Sequence, residues 1–538
     1  MNRLTPYFAG LVSCIGTGSA HLYAQDRRPD IVLIMTDQQS FDMISCLNDS
    51  REFSTPNLDR LFRNGIRFSN CYVANPVSVP SRFALMTGVS PAQYGVRDNL
   101  GKYSNADESG IRRIQQQSLG ALFSNAGYDT YYAGKVHLPY AHGKSNMFAS
   151  TENYRFQHYL TRDDREGLSH TAAQVIRERV IGGNPMLMVL SYLNPHDICA
   201  EAGSDLPEDG NERDSLTAVT IKEMRKLADA TSPALYPPLP PNLEKTVGLN
   251  SRQKLLYQDF TDEYWRRYRF IYQRLVELVD RQIGIVLDAI SQSAINNNTI
   301  VVFTSDHGEM GGAHRLRTKN VPYSECQKVP LVFYGKGIEK ARTDRSVVCN
   351  GADLLPTLCE LGEIDIPDNL PGKSLAKRIK QKTEVSDTTR TLFLEGAQFY
   401  QLVAGLDYKY TRFTTSPYAE MLIDLKNDPY ETLNLADYDV YRPLLGRLRD
   451  QMNDELAKRS LPTSIGSPTH KENRLSVIRN GTWLTIQGFS LQETLCISNL
   501  AGTVLYRGIP QTETVAFELK ERGCYLIATT DSVCKVIY

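Results

Sequence analysis

Asp30-Ile31-Val32-Leu33-Ile34-Met35-Thr36-Asp37-Gln38 is an unbroken apolar run closed by oxygen-bearing side chains. A run of this length without polar alternation fits a strand buried on both faces, as in the parallel sheet of an α/β protein. A second run, Thr299-Ile300-Val301-Val302-Phe303-Thr304-Ser305-Asp306-His307-Gly308, ends the same way, and Met186 to Leu193 is a third. Parallel sheets gather ligands at the carboxyl ends of their strands, so side-by-side placement of the first two brings Asp37, Gln38, Asp306 and His307 to one point. Two carboxylates and a carboxamide oxygen suit a hard divalent cation such as Ca2+, with the histidine a ligand or a close neighbour. Aspartate after a strand also commonly caps a loop, but the repeated pattern favours a metal.

Ser78-Val79-Pro80-Ser81-Arg82, continued by Phe83-Ala84-Leu85-Met86-Thr87-Gly88, carries helix-start signals: proline at a first helical position and a small hydroxylated residue before an apolar run. Ser78 is thus expected at the mouth of a helix, where backbone N–H groups favour anions. Arg82, one turn in, adds a permanent charge with a forked donor geometry suited to sulfate or phosphate. An oxyanion site with a nearby hydroxyl is as far as these residues go alone.

The same stretch resembles the signature of the type I sulfatases, in the alkaline phosphatase superfamily, with Met86 where a leucine is usual. The resemblance implies that Ser78 is oxidised after translation to Cα-formylglycine (3-oxoalanine), whose hydrated aldehyde is the nucleophile. The serine form implies a bacterial, oxygen-independent maturation by a radical enzyme. It also implies a single cation, Ca2+, held by Asp37, Gln38, Asp306 and His307 with the Ser78-derived group. Many members have Asp and Asn where this chain has Gln38 and His307.

Further matches follow in chain order. Ala126-Gly127-Tyr128, leading to Gly134-Lys135-Val136-His137, resembles a family stretch in which the lysine and histidine serve catalysis. On an extended strand end Lys135 and His137 would alternate onto one side. In Asn194-Pro195-His196-Asp197, His196 matches a second family histidine, and Lys319 matches a second lysine. By resemblance, Lys135 and Lys319 hold sulfate oxygens, Arg82 orients the nucleophile, His196 protonates the leaving alkoxide, and His137 assists the C–O cleavage that regenerates the aldehyde.

The scaffold resemblance runs from about 28 to 460. A large mixed, mostly parallel sheet flanked by helices is expected over 28–375, and a smaller α+β subdomain with an antiparallel sheet and packed helix over 376–460. The recurrence of Tyr268, Ile271, Tyr272, Leu275, Leu278, Val279, Ile283 and Val286 at helical spacing reads as core packing. Residues 461–472 form a polar linker, and short apolar runs punctuated by turns over 473–538 read as a β-sandwich-like segment resembling C-terminal sorting domains of Bacteroidetes.

Length and composition agree with a multidomain soluble protein. With 538 residues, two or three domains are expected. The 60 Lys and Arg balance 61 Asp and Glu, and no basic stripe suggests a nucleic-acid partner. Arg3 and the short apolar stretch Tyr7 to Ile15 read as an export signal over 1–25, either cleaved near Ala24 or processed as a lipoprotein before Cys14. No later apolar run is long enough to span a membrane. The cysteines form no CxxC zinc pattern.

The leading expectation is an exported, periplasmic or cell-surface sulfatase acting on sulfated carbohydrate, of glycosaminoglycan or mucin type. The alternatives are a phosphodiesterase or phosphonate monoester hydrolase of the same superfamily and a non-catalytic glycan-binding relative. Arg97, Asp98, Asn99, His170 and Asp197 are candidates for contacts with a sugar, each also suited to local hydrogen bonding.

Overall fold

The computed structural model describes residues 27–48, 52–99, 108–139, 153–201, 212–244, 257–381, 386–414, 420–460, 476–480, 482–487, 495–499, 504–510, 512, 514–519, 524–528 and 533–537. The expected export signal and the 461–472 linker lie outside them.

At the centre of the first unit, β1 (Asp30–Asp37) is flanked in parallel by β5 (Met186–Pro195) and β6 (Thr299–Ser305). With β2 (Ile66–Tyr72), β3 (Asp129–Gly134), β4 (His158–Tyr159), β7 (Leu331–Gly335) and β8 (Arg342–Cys349), these make an eight-stranded sheet ordered β4-β3-β5-β1-β6-β7-β2-β8. Among its described strands, β7 alone runs antiparallel to its neighbours. The expected mixed, mostly parallel sheet is therefore present.

The run in β1 lacks polar alternation because both faces are covered. Ile31, Leu33 and Met35 pack in one layer with Val79, Phe83 and Leu354. Val32 and Ile34 point the other way, into a layer with Leu58, Ile176 and Val286. The helix Asp262–Gln292 lies on that second side, and its start is fixed by Thr261, whose side chain accepts the Tyr264 N–H, with Asp262 and Glu263 favouring the positive helix end. Its expected apolar stripe is buried apart from Leu278, which is half-buried. Among the described residues, no helix is long and apolar enough to cross a membrane.

The second compact unit takes Glu244–Tyr257 and then the chain from Thr391 onward, so the short helix Ala376–Lys380 belongs with the first. It holds an antiparallel sheet ordered β12-β11-β10-β9, built from β9 (Thr391–Gly396), β10 (Phe399–Ala404), β11 (Tyr408–Phe413) and β12 (Glu420–Asp424). The helix Arg442–Lys458 is tied to this sheet by Arg412, which donates to Asn453 Oδ1 at 2.7 Å. Among the described residues, seven further strands form a three-stranded and a four-stranded sheet. Leu484 and Ile486 from one and Leu495, Ile497 and Ile527 from the other share a buried core, which makes this segment a small sandwich.

Candidate active site

The two central strands end on the same edge and are cross-linked there. Gln38 leaves β1 with a left-handed φ of 72°, and its backbone N–H donates to Asp306 Oδ1 at 3.1 Å. The Asp306 N–H returns a bond to the Thr36 carbonyl at 3.1 Å. Asp37, Asp306 and His307, all buried, thereby place ligand atoms within 4.8 Å of one another.

Charges around this cluster are arranged by Arg82. Fully buried in the helix Ser78–Thr87, it donates from Nε to Asp306 Oδ2 at 2.8 Å and from one terminal nitrogen to Asp37 Oδ2 at 2.9 Å. The other terminal nitrogen donates to the Lys135 carbonyl at 3.0 Å and to Ser191 Oγ at 2.6 Å. The fork expected to face a ligand anion instead grips the two carboxylates, at geometry suited to bidentate pairing. Lys135 Nζ also donates to Asp37 Oδ2. Burial alone would raise the Asp37 carboxyl, but the charges of Lys135, His196, Arg82 and Lys319 outweigh it and hold the group well below the usual carboxylate range.

A cation fits what remains. Among the described residues, Asp37 Oδ1 is buried and accepts no hydrogen bond, an expensive state for a carboxylate oxygen unless a positive ligand completes it. His307 Nδ1 lies 3.0 Å from the Gly308 carbonyl, which can only accept, so Nδ1 carries the proton and Nε2 a lone pair. Burial pushes this imidazole down to about 4, with Asp306 opposing, so the ring is neutral near pH 7, as a metal ligand must be.

Ser78 is the first residue of its helix, fully buried, with Oγ 2.9 Å from His307 Nε2. Ser81 Oγ donates to the Asp306 carbonyl at 2.5 Å, locking helix to strand end. The helix has no cap from the preceding Val77; Asn99 Oδ1 accepts the Val79 N–H at 3.1 Å instead. Asn99, a candidate sugar contact from the sequence, thus satisfies an orphan N–H of the Ser78 helix.

The remaining expected residues divide. Lys319 Nζ donates to Gln38 Oε1, and Gln38 Nε2 donates to Glu309 Oε2 at 2.5 Å, so the fourth expected cation ligand is occupied in linking two other side chains. His196 opens a short 3-10 helix directly after β5, half-buried, and its charge acts on Asp37. β3 stops at Gly134, so the expected strand alternation of Lys135 and His137 does not apply; both sit in the following loop, His137 half-buried with a φ of 43°. Asp197 is buried and held bidentately by Arg165, with Thr217 donating to it at 2.9 Å, which makes it a packing ion pair instead of a sugar contact. His170 is exposed, 3.5 Å from Glu166 one turn earlier on its own helix. Arg97 and Asp98 are half-buried in the segment that leads to Asn99.

Sequence spacing gave no warning of Glu309 or Ser191, and Ser81 stands in the motif with no role assigned to it. Tyr268 and Tyr272, expected only as core, reach the site with their hydroxyls, Tyr268 to Glu309 Oε1 at 3.0 Å and Tyr272 to the Gln38 carbonyl at 2.5 Å. Helical periodicity reports where a ring packs, not where its hydroxyl ends.

Gly134 supplies one test of this construction. It turns the chain into Lys135 with a φ of +87°, and an added Cβ would lie 2.2 Å from the Ser191 carbonyl oxygen. Gly134→Ala is expected to destabilise by more than about 1 kcal/mol, since it combines a left-handed backbone with a clash against backbone. It should also lower turnover, because Lys135 and Ser191 both hold Arg82. Thermal unfolding and steady-state rates on one preparation check both effects.

Comparison with known proteins agrees with the geometry. Residues 29–364 match the family model Sulfatase, and 312–458 match N-sulphoglucosamine sulphohydrolase, C-terminal. The chain is 27% identical over 464 residues to the Delta 4,5-hexuronate-2-O-sulfatase of Bacteroides thetaiotaomicron, covering 84% of this chain and 92% of the relative. It is 27% identical to an Ulvan-active sulfatase of Formosa agariphila, covering 80% and 81%. The solved structure of a 2-O GAG sulfatase aligns with a TM-score of 0.61 at 25% identity, covering 81% and 93%. A phosphonate monoester hydrolase of Agrobacterium radiobacter shares the fold at a TM-score of 0.61 and 20% identity, covering 80% and 96%. Since the family model spans most of the chain and the sulfatase relatives align along most of their own length, the chain belongs to the sulfatase family of the alkaline phosphatase superfamily and is a sulfuric ester hydrolase.

Proposed function

We propose that this sulfatase removes sulfate from sulfated carbohydrates of the glycosaminoglycan or mucin type, after export, using a formylglycine made from Ser78 by a sulfatase-maturing radical enzyme. One observation carries the chemistry: the Ser78 hydroxyl lies 2.9 Å from His307, against the Asp37, Asp306 and His307 cluster. Support for a sugar substrate comes from relatives whose names specify hexuronate-2-O and N-acetylglucosamine-6-O sulfate esters.

Asp37, Asp306 and His307 would hold one cation, read here as Ca2+, beside Ser78, and it would supply positive charge to a sulfate oxygen. The formylglycine hydrate supplies the nucleophile. The chain's own residues do the rest. Lys135 and Lys319 neutralise the remaining sulfate oxygens, with no reorganisation cost because both are already held near Asp37 and Gln38. Arg82 fixes the two carboxylates so that neither can swing away from the cluster. His196 gives a proton to the departing sugar oxygen, and His137 is the helper of the step that regenerates the aldehyde.

Elemental analysis should find one calcium per chain, and chelation should lower activity and the unfolding temperature together. Two zinc ions per chain, with faster hydrolysis of aryl phosphates than of aryl sulfates, would assign the site to the phosphatase-like members of the superfamily instead. Asp306→Ala should be the most damaging change among the cation-facing residues, beyond the roughly 10–100-fold typical of losing an outer partner. Asp306 also receives Arg82 and the backbone N–H groups of Gln38 and His307.

A further inference from the structure

Glu309 follows the cation-facing pair by two residues and is only 2% exposed. Its carboxylate is met by four donors. Oε2 accepts from Gln38 Nε2 at 2.5 Å, and Oε1 accepts from the Tyr268 hydroxyl at 3.0 Å and from the backbone N–H groups of Thr318 at 2.7 Å and Gly311 at 3.2 Å. A buried carboxylate needs several donors, but nothing requires that two of them lead to one lysine.

Here two of them do. Gln38, gripped by Glu309 through its amide nitrogen, presents its oxygen to Lys319 Nζ. Thr318, gripped through its N–H, immediately precedes Lys319. The backbone at this point is strained, since Thr318 has a φ of 62° and Asn320 a φ of 72°. Left-handed backbone is costly for a residue other than glycine, most of all a β-branched one, and persists only where surroundings hold it. The Thr318 N–H bond to Glu309 holds one side of Lys319, and the Asn320 N–H bond to the Pro76 carbonyl at 3.1 Å holds the other.

We propose that Glu309 is a positioning residue for Lys319, fixing its backbone through Thr318 and its ammonium through Gln38. The inference rests on the reading of Lys319 as a sulfate-holding group. It gives Gln38 a role that needs a carboxamide: one end must accept from an ammonium while the other donates to a carboxylate, which an aspartate or glutamate in its ionised form cannot do.

A double-mutant cycle with Lys319 tests it, read as kcat and KM on a nitrophenyl sulfate, whose good leaving group keeps residual rates measurable. Glu309→Gln retains an oxygen for Tyr268, Gly311 and Thr318 but sets an amide NH2 against that of Gln38. Gln38 then has to turn over and present its own NH2 to Lys319. In the otherwise native chain, Glu309→Gln should lower kcat/KM by about 10–100-fold. In a Lys319→Ala background the same change should alter kcat/KM less than about twofold, because the group it acts through is gone. Equal fold losses in both backgrounds overturn the proposal and leave Glu309 as general support for the loop. If Glu309→Gln does not fold, Gln38→Met takes its place in the same cycle, with the same expected and overturning results. Lys319→Ala alone tests the underlying reading: an unchanged kcat/KM would remove Lys319 from sulfate binding whatever Glu309 does.

Discussion

Ser78→Ala is expected to abolish turnover of every sulfate ester while the protein stays folded. The expectation follows from what the hydroxyl touches. Ser78 Oγ bonds to His307 Nε2 and does not cap its helix, whose first turn is instead served by Asn99. Its removal leaves one buried acceptor unpaired, a cost of about 1–3 kcal/mol, within the stability expected of a folded domain. Turnover fails for a different reason, since alanine offers no oxygen to oxidise and no nucleophile. A second measurement separates the proposed chemistry from direct attack by serine: in active protein, the tryptic peptide of residues 68–82 should be about two mass units lighter than its unmodified form, the loss of two hydrogens. Full activity in protein whose peptide carries intact serine would end the formylglycine reading. Circular dichroism and unfolding temperature of the alanine variant guard against loss by misfolding.

The parts of the site legible from sequence were those that periodicity and strand ends announce. β1 and β6 show themselves as apolar runs closed by Asp37 and Asp306, and pairing of adjacent strands brings those carboxylates together without further information. Ser78 is similarly fixed by helix-start chemistry, although the helix begins at Ser78 itself. What escaped were roles set by side-chain direction and by partners distant in sequence. Gln38 reads as a ligand because it follows Asp37, yet its left-handed backbone leads its amide to Glu309 and Lys319, 271 and 281 residues away. Asp197, next to His196, is a candidate sugar contact that also suits local hydrogen bonding, and Arg165 and Thr217 absorb it. Neither outcome has a local signature, because a carboxylate or carboxamide in a loop reads the same whether it meets solvent, a sugar or a buried arginine.

His196→Ala should damage hydrolysis of a sulfated sugar far more than that of a nitrophenyl sulfate. His196 sits where β5 passes into its 3-10 helix, half-buried, and a positive charge there helps hold the Asp37 carboxyl down. A half-buried imidazole stays open to proton exchange with solvent, and imidazole is the side chain whose ordinary titration falls near neutrality. A sugar alkoxide needs a proton as its bond to sulfur breaks; a nitrophenolate departs with little help. The measured quantity is the ratio of kcat/KM losses on the two substrates, and a general acid worth roughly 10²–10⁴-fold should show most of that loss on the sugar alone. Equal losses on both would mean that His196 holds sulfate or supports Asp37 electrostatically. The acid role would then pass to Lys319, which bonds to Gln38 in the same cluster and presents the next available proton.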